Sequence, residues 1–386
     1  MPSAVRSYAS VNDDIAADGP IGDPMDAVTV RAHELAEAGR LPAFVYDLAA
    51  LDEHAAAIRD ALGDVELYYA AKANPDPELL RVLARHVDGV EVASGGELAH
   101  VLGVLPEVPI AFGGPGKTDA ELAAALDAGV ARLHVEGPGE LRRLIATGRE
   151  ADIMLRVNLA VSLGDVALAM GGGATPFGMD PDGVAACLEL LDRQEAVRLR
   201  GVHAHLASGL DAERMLQVNE RVLDHARSLG VTEINLGGGM AVSYADPDDR
   251  FDWAAYGKGL AGLRRSGETL RIEPGRSVSV YCGRYVTRVI DVKRVHGRLF
   301  AVVAGGTHHI RTPATKGHSQ PVIPGTPGEP ITISGQLCTP KDQLAENVPI
   351  TLEPGDVVEF AMAGAYAWNI SHHDFLMHPH PEFHYL

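Results

Sequence analysis

Short apolar runs alternate with longer amphipathic stretches along the first two thirds of the chain. From Ala43 the order is FVYDL, a helical pattern over Ala49–Leu62, VELYYAA, a helical pattern over Pro77–Arg85, VEVAS, and a helical pattern over Glu97–Leu102. Apolar runs that alternate with helical periodicity predict βαβ units and a parallel sheet. The rhythm continues through IAFGG, a helix from Asp119, RLHVE, a helix from Gly139, IMLRVN, a helix from Asp182, LRGVHAHL, a helix from Ala212, and INLGGG. Seven strands fall between Val65 and about Leu236, and LRIEP near Leu270 makes eight. Eight such units predict a closed (β/α)8 TIM-like barrel.

After Glu273 the pattern changes to successive β-rich runs, Ser277–Val292, Leu299–Ala304, Pro330–Ser334 and Asp356–Met362, punctuated by Gly and Pro. These predict a C-terminal antiparallel β domain, with the proline-rich stretch Thr312–Pro330 as a loop. The opening stretch to about Gly39 is rich in Asp, Gly and Ala, with a frayed start and a helix around Val28 to Ala38. The expected division is therefore 1–47 as an N-terminal segment partly joining the β domain, 48–272 as the barrel, and 273–386 as the β domain. No internal repeat of fixed period is visible.

The balance of 46% hydrophobic and 22% charged residues in 386 suits a folded body of this size. No run approaches the ~20 apolar residues that span a bilayer, and Met1 to Asp14 lacks the basic-then-apolar order of a secretion signal, so the expected location is cytoplasmic. Cys187, Cys282 and Cys338 show no CxxC spacing, which argues against a disulfide framework or a zinc site. A formal charge of −19 opposes phosphate backbones and anionic lipid, so neither nucleic acid nor membrane is an expected partner.

Candidate chemistry begins at Lys72, where Tyr68-Tyr69-Ala70-Ala71 ends in a single lysine. At the carboxyl end of a barrel strand it would face the mouth, where desolvation makes an amine a usable nucleophile. A snorkelling surface lysine is the plain alternative. Gly237-Gly238-Gly239 follows INL, and late barrel strands with glycine loops bring backbone amides close to phosphate, although a flexible turn reads the same way. Glu273-Pro274-Gly275-Arg276 sets a carboxylate and a guanidinium at the end of the eighth strand. The carboxylate would keep a pyridine nitrogen protonated and the arginine would bind phosphate or carboxylate, where a salt-bridged turn is the alternative. His203 and His205 alternate on one strand with Ser208 close behind, so both point to one side. The terminal group His372, His373, Asp374, His378, His380 and His384 has a metal-site look, but its prolines and place near the chain end equally suit a packed tail. No metal is expected.

Taken in order, Lys72, the HxH strand, the GGG loop and EPGR resemble the fold-type III decarboxylases that depend on pyridoxal 5'-phosphate (PLP), the group of diaminopimelate and ornithine decarboxylases. Cys338 in QLCTPKD and Tyr366 in AGAY extend the likeness to nearly the whole chain. The resemblance implies that Lys72 carries PLP as a Schiff base, His205 stacks on its ring and Glu273 pairs with its nitrogen. It implies that Ser208, the Gly237–Gly239 loop, Arg276 and Tyr366 surround the phosphate. It also implies a homodimer with shared active sites, in which Cys338 enters the partner's site as the proton donor to Cα.

Two positions depart from the family pattern. Thr339 stands where relatives that grip a distal amine carry an acid, and HxHxGS is here His203-Ala204-His205-Leu206-Ala207-Ser208. GGPGKTDAEL, LHVEG, TPFGMD, QLCTPKD and SHHDFLMHPHPEFHYL look like the siderophore-pathway branch, similar to the staphyloferrin B citryl-diaminopropionate decarboxylase. That likeness implies a small citrate–amino acid conjugate as substrate, with Arg311 as carboxylate clamp, His372 and His373 as helpers, and Thr339 beside it. Diaminopimelate or carrier-bound glutamyl decarboxylation is the alternative. Alanine racemase shares barrel and lysine but places arginine at the pyridine nitrogen, against Glu273. A non-catalytic PLP-binding homologue fits poorly with Lys72 and Cys338 both retained.

Overall fold

The computed structural model describes residues 26–160, 168–169, 171–311 and 319–386. The frayed start expected before Gly39 lies mostly outside the described residues, as does the part of the Thr312–Pro330 loop at 312–318.

Eight parallel strands close a barrel in the order β10-β11-β2-β3-β4-β5-β6-β8. They are β2 (Glu66–Ala70), β3 (Gly89–Val92), β4 (Ile110–Phe112), β5 (Arg132–Val135), β6 (Ala151–Arg156), β8 (Val197–His203), β10 (Glu233–Asn235) and β11 (Thr269–Ile272). These are the eight apolar runs of the sequence. Helices α2 (Leu48–Leu62), α3 (Pro77–Leu83), α4 (Gly95–Val104), α5 (Asp119–Ala128), α6 (Pro138–Ala146), α7 (Pro181–Leu191), α8 (Ala212–Ser228) and α9 (Trp253–Leu263) accompany them. Their starts are written locally. Asp47, Asp76, Ser94, Asp180, Asp211 and Asp252 each accept a first-turn amide, and Thr118 forms a reciprocal capping box with Glu121. A small ribbon of β7 (Leu168–Ala169) and β9 (Ala207–Ser208) pairs near the mouth.

The second body is a mainly antiparallel seven-stranded sheet. Its strands are β1 (Ala43–Tyr46), β12 (Gly283–Val295), β13 (Arg298–Val303), β14 (Pro327–Ser334), β15 (Gln343–Ile350), β16 (Val357–Phe360) and β17 (Glu382–Tyr385). The FVYDL run is thus a sheet strand, held between β12 and β17, and α1 (Ala27–Glu37) packs on the same sheet. Two pairs are parallel, β1 with β17 and β13 with β14, because long excursions rather than hairpins join them.

Three local expectations shift. Ser277–Cys282 is helical rather than extended, since the chain leaves the barrel through the short helix α10 (Arg276–Ser279) and a 3-10 turn. β14 begins at Pro327, and its prolines are tolerated because they fall at the strand start, before pairing with β13 begins at Ile331, and at a register shift against β15. β15 and β17 carry too little alternation to stand out in the sequence. Among the described residues, no helix is long and apolar enough to cross a membrane.

Candidate active site

The carboxyl ends of the barrel strands converge on Lys72, which lies in a 3-10 turn directly after β2. Its Nζ forms an ion pair with Glu91, the inward residue of β3, which is 5% exposed. Burial alone would push the Lys72 ammonium down, but the Glu91 carboxylate and then Tyr366 outweigh it, and the net direction is up. Burial pushes Glu91 above the usual carboxylate range, with Lys72 pulling against it. The β domain fixes the turn from the other side. Tyr366 N donates to Ala73 O at 2.7 Å, Asn369 Nδ2 to the Lys72 carbonyl at 2.6 Å, and Asn74 Nδ2 to Gly364 O at 2.9 Å.

Glu273 follows β11 and is 5% exposed. Its carboxylate accepts from Asn235 Nδ2 at 2.6 Å, and its backbone N donates to Gly237 O at 2.8 Å, tying the eighth strand to the glycine loop. That loop has to be glycine. A Cβ at Gly237, Gly238 or Gly239 would meet the carbonyl oxygens of Ala204, Glu273 and Ala207 at 2.6, 2.4 and 2.1 Å, and Gly237 and Gly239 have φ of +70° and +108°. Gly238 N donates to His205 Nδ1 at 3.1 Å, which fixes the ring and leaves Nε2 3.5 Å from Ser208 Oγ. Burial first, and then the charge of Lys72, push His205 down to about 3, so the ring is neutral. Arg276 donates to Tyr244 Oη at 2.7 Å and lies over the Tyr366 ring at 4.4 Å. An amine, a buried carboxylate, a flat neutral imidazole and a guanidinium beside a glycine loop are the donor set that an aldehyde-bearing pyridine phosphate requires.

The structure thus brings together Lys72, His205, Ser208, Gly237, Gly238, Gly239, Glu273, Arg276 and Tyr366. The remaining predicted residues lie apart on the β domain. Cys338 is exposed in the loop between β14 and β15. Among the described residues, the contacts of Thr339, Arg311, His372 and His373 are all within that domain. His373 is engaged in packing, its ring stacked on Trp368 with centroids 3.6 Å apart. Glu91, His134, Asn235, Tyr244 and Asn369 were missed. The first three share a signal, a polar residue inside an otherwise apolar barrel strand.

Residues 48–280 match the family model for the pyridoxal-binding domain of pyridoxal-dependent decarboxylases, more than half of the chain. This chain belongs to that family. It is a PLP-dependent carboxy-lyase. It is 39% identical to the 2-[(L-alanin-3-ylcarbamoyl)methyl]-2-hydroxybutanedioate decarboxylase of Staphylococcus aureus, covering 89% of this chain and 93% of that one. It is 30% identical to the L-glutamyl-[BtrI acyl-carrier protein] decarboxylase of Niallia circulans, covering 88% and 87%. Diaminopimelate decarboxylase from Helicobacter pylori shares the fold with a TM-score of 0.83 at 24% identity, over 92% of this chain and 93% of that one.

Proposed function

We propose that this decarboxylase removes the α-carboxylate of an amino-acid unit joined to citrate, as a step in building a carboxylate siderophore. The citrate amide of 2,3-diaminopropionate is the first candidate substrate and citryl-serine the second. The observation that carries the reading is the loop around Cys338. Its one carboxylate, Asp342, is 2% exposed and turned inward, accepting from Thr307 N at 2.6 Å and Leu337 N at 2.7 Å. With threonine at 339, the loop offers no acid to a distal ammonium, and an unpaired ammonium in a desolvated site costs on the order of several kcal/mol. Exposed Arg311 on the same domain is instead the natural partner of extra carboxylates. The name of the S. aureus relative describes such a citrate amide.

Lys72 would carry the cofactor, and its ion pair with Glu91 holds the Nζ at the mouth. When bound, PLP supplies an electron-poor ring that accepts the electron pair left by departing carbon dioxide. With PLP bound, Glu273 would pair with the ring nitrogen, His205 would lie against the ring face, and Ser208, the glycine loop, Arg276 and Tyr366 would hold the phosphate. Cys338 delivers the proton to Cα in the partner's site, so the working unit is a homodimer. Support for association comes from the tail beside the Cys338 loop. His378 receives a 3.0 Å hydrogen bond from Gln336, and the neighbouring Phe375, Leu376 and Met377 are exposed, Met377 at 92%.

Mass spectrometry of products from citryl-diaminopropionate, citryl-serine, diaminopimelate and ornithine tests the substrate. Arg311→Ala should lower kcat/KM on the citryl substrate by about tens-fold while leaving cofactor affinity nearly unchanged. Faster turnover of diaminopimelate or ornithine would overturn the citryl reading and leave the decarboxylase standing.

A further inference from the structure

Alternate strands of the closed barrel, β11, β3, β5 and β8, present one layer of inward side chains beneath Lys72. Bulky aliphatic residues fill such layers in most barrels of this type. Here the layer is Glu273, Glu91, His134 and His203, with exposures of 5%, 5%, 0% and 3%. The His134 and His203 rings stack with centroids 4.2 Å apart and planes inclined by 20°. His203 Nε2 lies 3.2 Å from Glu273 Oε2, and His134 Nε2 lies 3.7 Å from Glu273 Oε1. All four ring nitrogens are sealed from solvent and none has a partner in hydrogen-bond geometry. Buried polar atoms left this way in a native interior require an explanation.

We propose that His134 and His203 are positioning residues that seat the Glu273 carboxylate through two imidazole N–H groups, completing a cradle begun by the Asn235 amide. The proposal rests on PLP being held at Lys72 with Glu273 at its ring nitrogen. A carboxylate reserved for that nitrogen must be fixed without being neutralised from below. An arginine or lysine in the seat would take up its charge, whereas neutral N–H donors hold it and leave the charge to act upward. Both rings are kept neutral. Burial pushes them well below the usual imidazole range, and the surrounding cations add to it: Arg156, Lys72, Lys117 and Arg271 at His203, the His203 ring with Lys117 and Arg271 at His134. Glu273 alone pulls His134 the other way.

The geometry is set from outside the layer. Lys117, in the GGPGKT run, donates to the His134 carbonyl at 2.8 Å and pairs with buried Glu140 at 2.9 Å, which anchors β5 at this level. His203 Nε2 is already within hydrogen-bond distance of the carboxylate and lacks only alignment, whereas His134 Nε2 has to close from 3.7 Å.

The test uses holoenzyme loaded with PLP labelled with 15N in the ring, whose NMR shift reads ring-nitrogen protonation directly. His134→Leu and His203→Leu should move that signal toward neutral pyridine and weaken cofactor binding about tenfold, while His→Gln, which keeps a donor near Nε2, should restore both. A lowered Tm with an unmoved 15N signal would make the pair structural only and overturn the proposal. Should the leucine variants fail to fold, His203→Asn against His203→Gln carries the same comparison, with only the latter keeping the donor in reach. The three ligand atoms lie within 4.8 Å of one another, so metal analysis of the purified protein is run alongside. A stoichiometric metal lost on His134→Gln would also overturn the proposal. Absence of PLP from Lys72 in the unmodified enzyme would sink the underlying reading instead.

Discussion

The barrel mouth and the Cys338 loop hold their chemistry under opposite physical conditions. At the mouth, Glu91, His134, His203 and Glu273 are almost wholly buried, with Glu91 paired to Lys72, Glu273 held by the Asn235 amide and the two imidazole rings stacked on each other. On the β domain, Cys338, Arg311 and His372 face solvent, and only the frame beneath them is fixed. The groups of the mouth all come from one chain and sit where burial and pairing act on them directly. The loop groups gain low dielectric and a neighbour only when something covers them. On the proposed reading, cofactor chemistry and substrate choice are therefore separable, one written in the barrel and the other in a surface that acts on assembly.

The largest expected effect follows from the barrel half. Lys72→Ala should abolish turnover and the yellow colour of the bound cofactor, and borohydride reduction of the unmodified enzyme should tag a single peptide, the one holding Lys72. A label on any other lysine breaks the comparison at its root. The next effect concerns the loop half. Mixing Lys72→Ala with Cys338→Ala, each inactive alone, should recover about a quarter of full activity, because random exchange makes half the dimers mixed and gives each one intact site. No recovery after subunit exchange is verified would mean that loop and mouth do not complement each other between chains.

Much of this was legible in the chain. Barrel strands buried on both faces read as continuous apolar runs, and eight of them in βα rhythm identify the barrel. Lys72 and Glu273 were visible because charged residues end such runs. The weakly patterned edge strands β15 and β17 were not, since pairing rather than periodicity makes them. Glu91 and His134 were hidden by their own strands, VEVAS and RLHVE, where one polar letter among apolar ones reads as noise until the barrel closes. His373 read as a substrate group, although its stacking on Trp368 depends on a turn that no local pattern specifies.

The smallest expected effect is one of stability. His308 and His309 on the β domain are buried, and burial pushes them down to about 4 and about 3 from an ordinary 6.5. The unfolded chain takes up protons that the folded one refuses, so their contribution is complete above about pH 6.5 and is lost as pH falls toward 4 and then 3. Melting temperatures and urea midpoints measured from pH 7.5 to 5 should fall. The paired His308→Gln and His309→Gln variant should flatten that slope by up to about 1.4 kcal/mol per pH unit for each imidazole. An unchanged slope would show that these rings are protonated or solvated in the native state.

Asp342 binds the amides of Thr307 and Leu337 with its side chain, while its backbone carbonyl accepts from Gly335 N at 3.0 Å. The loop is therefore shaped from within, by a residue that never faces outward. Position 339 is free of that duty beyond the local turn it shares with Leu337 and Asp342. On the proposed reading, exchange of the residue at 339 would change which molecules are accepted while leaving intact the architecture that accepts them.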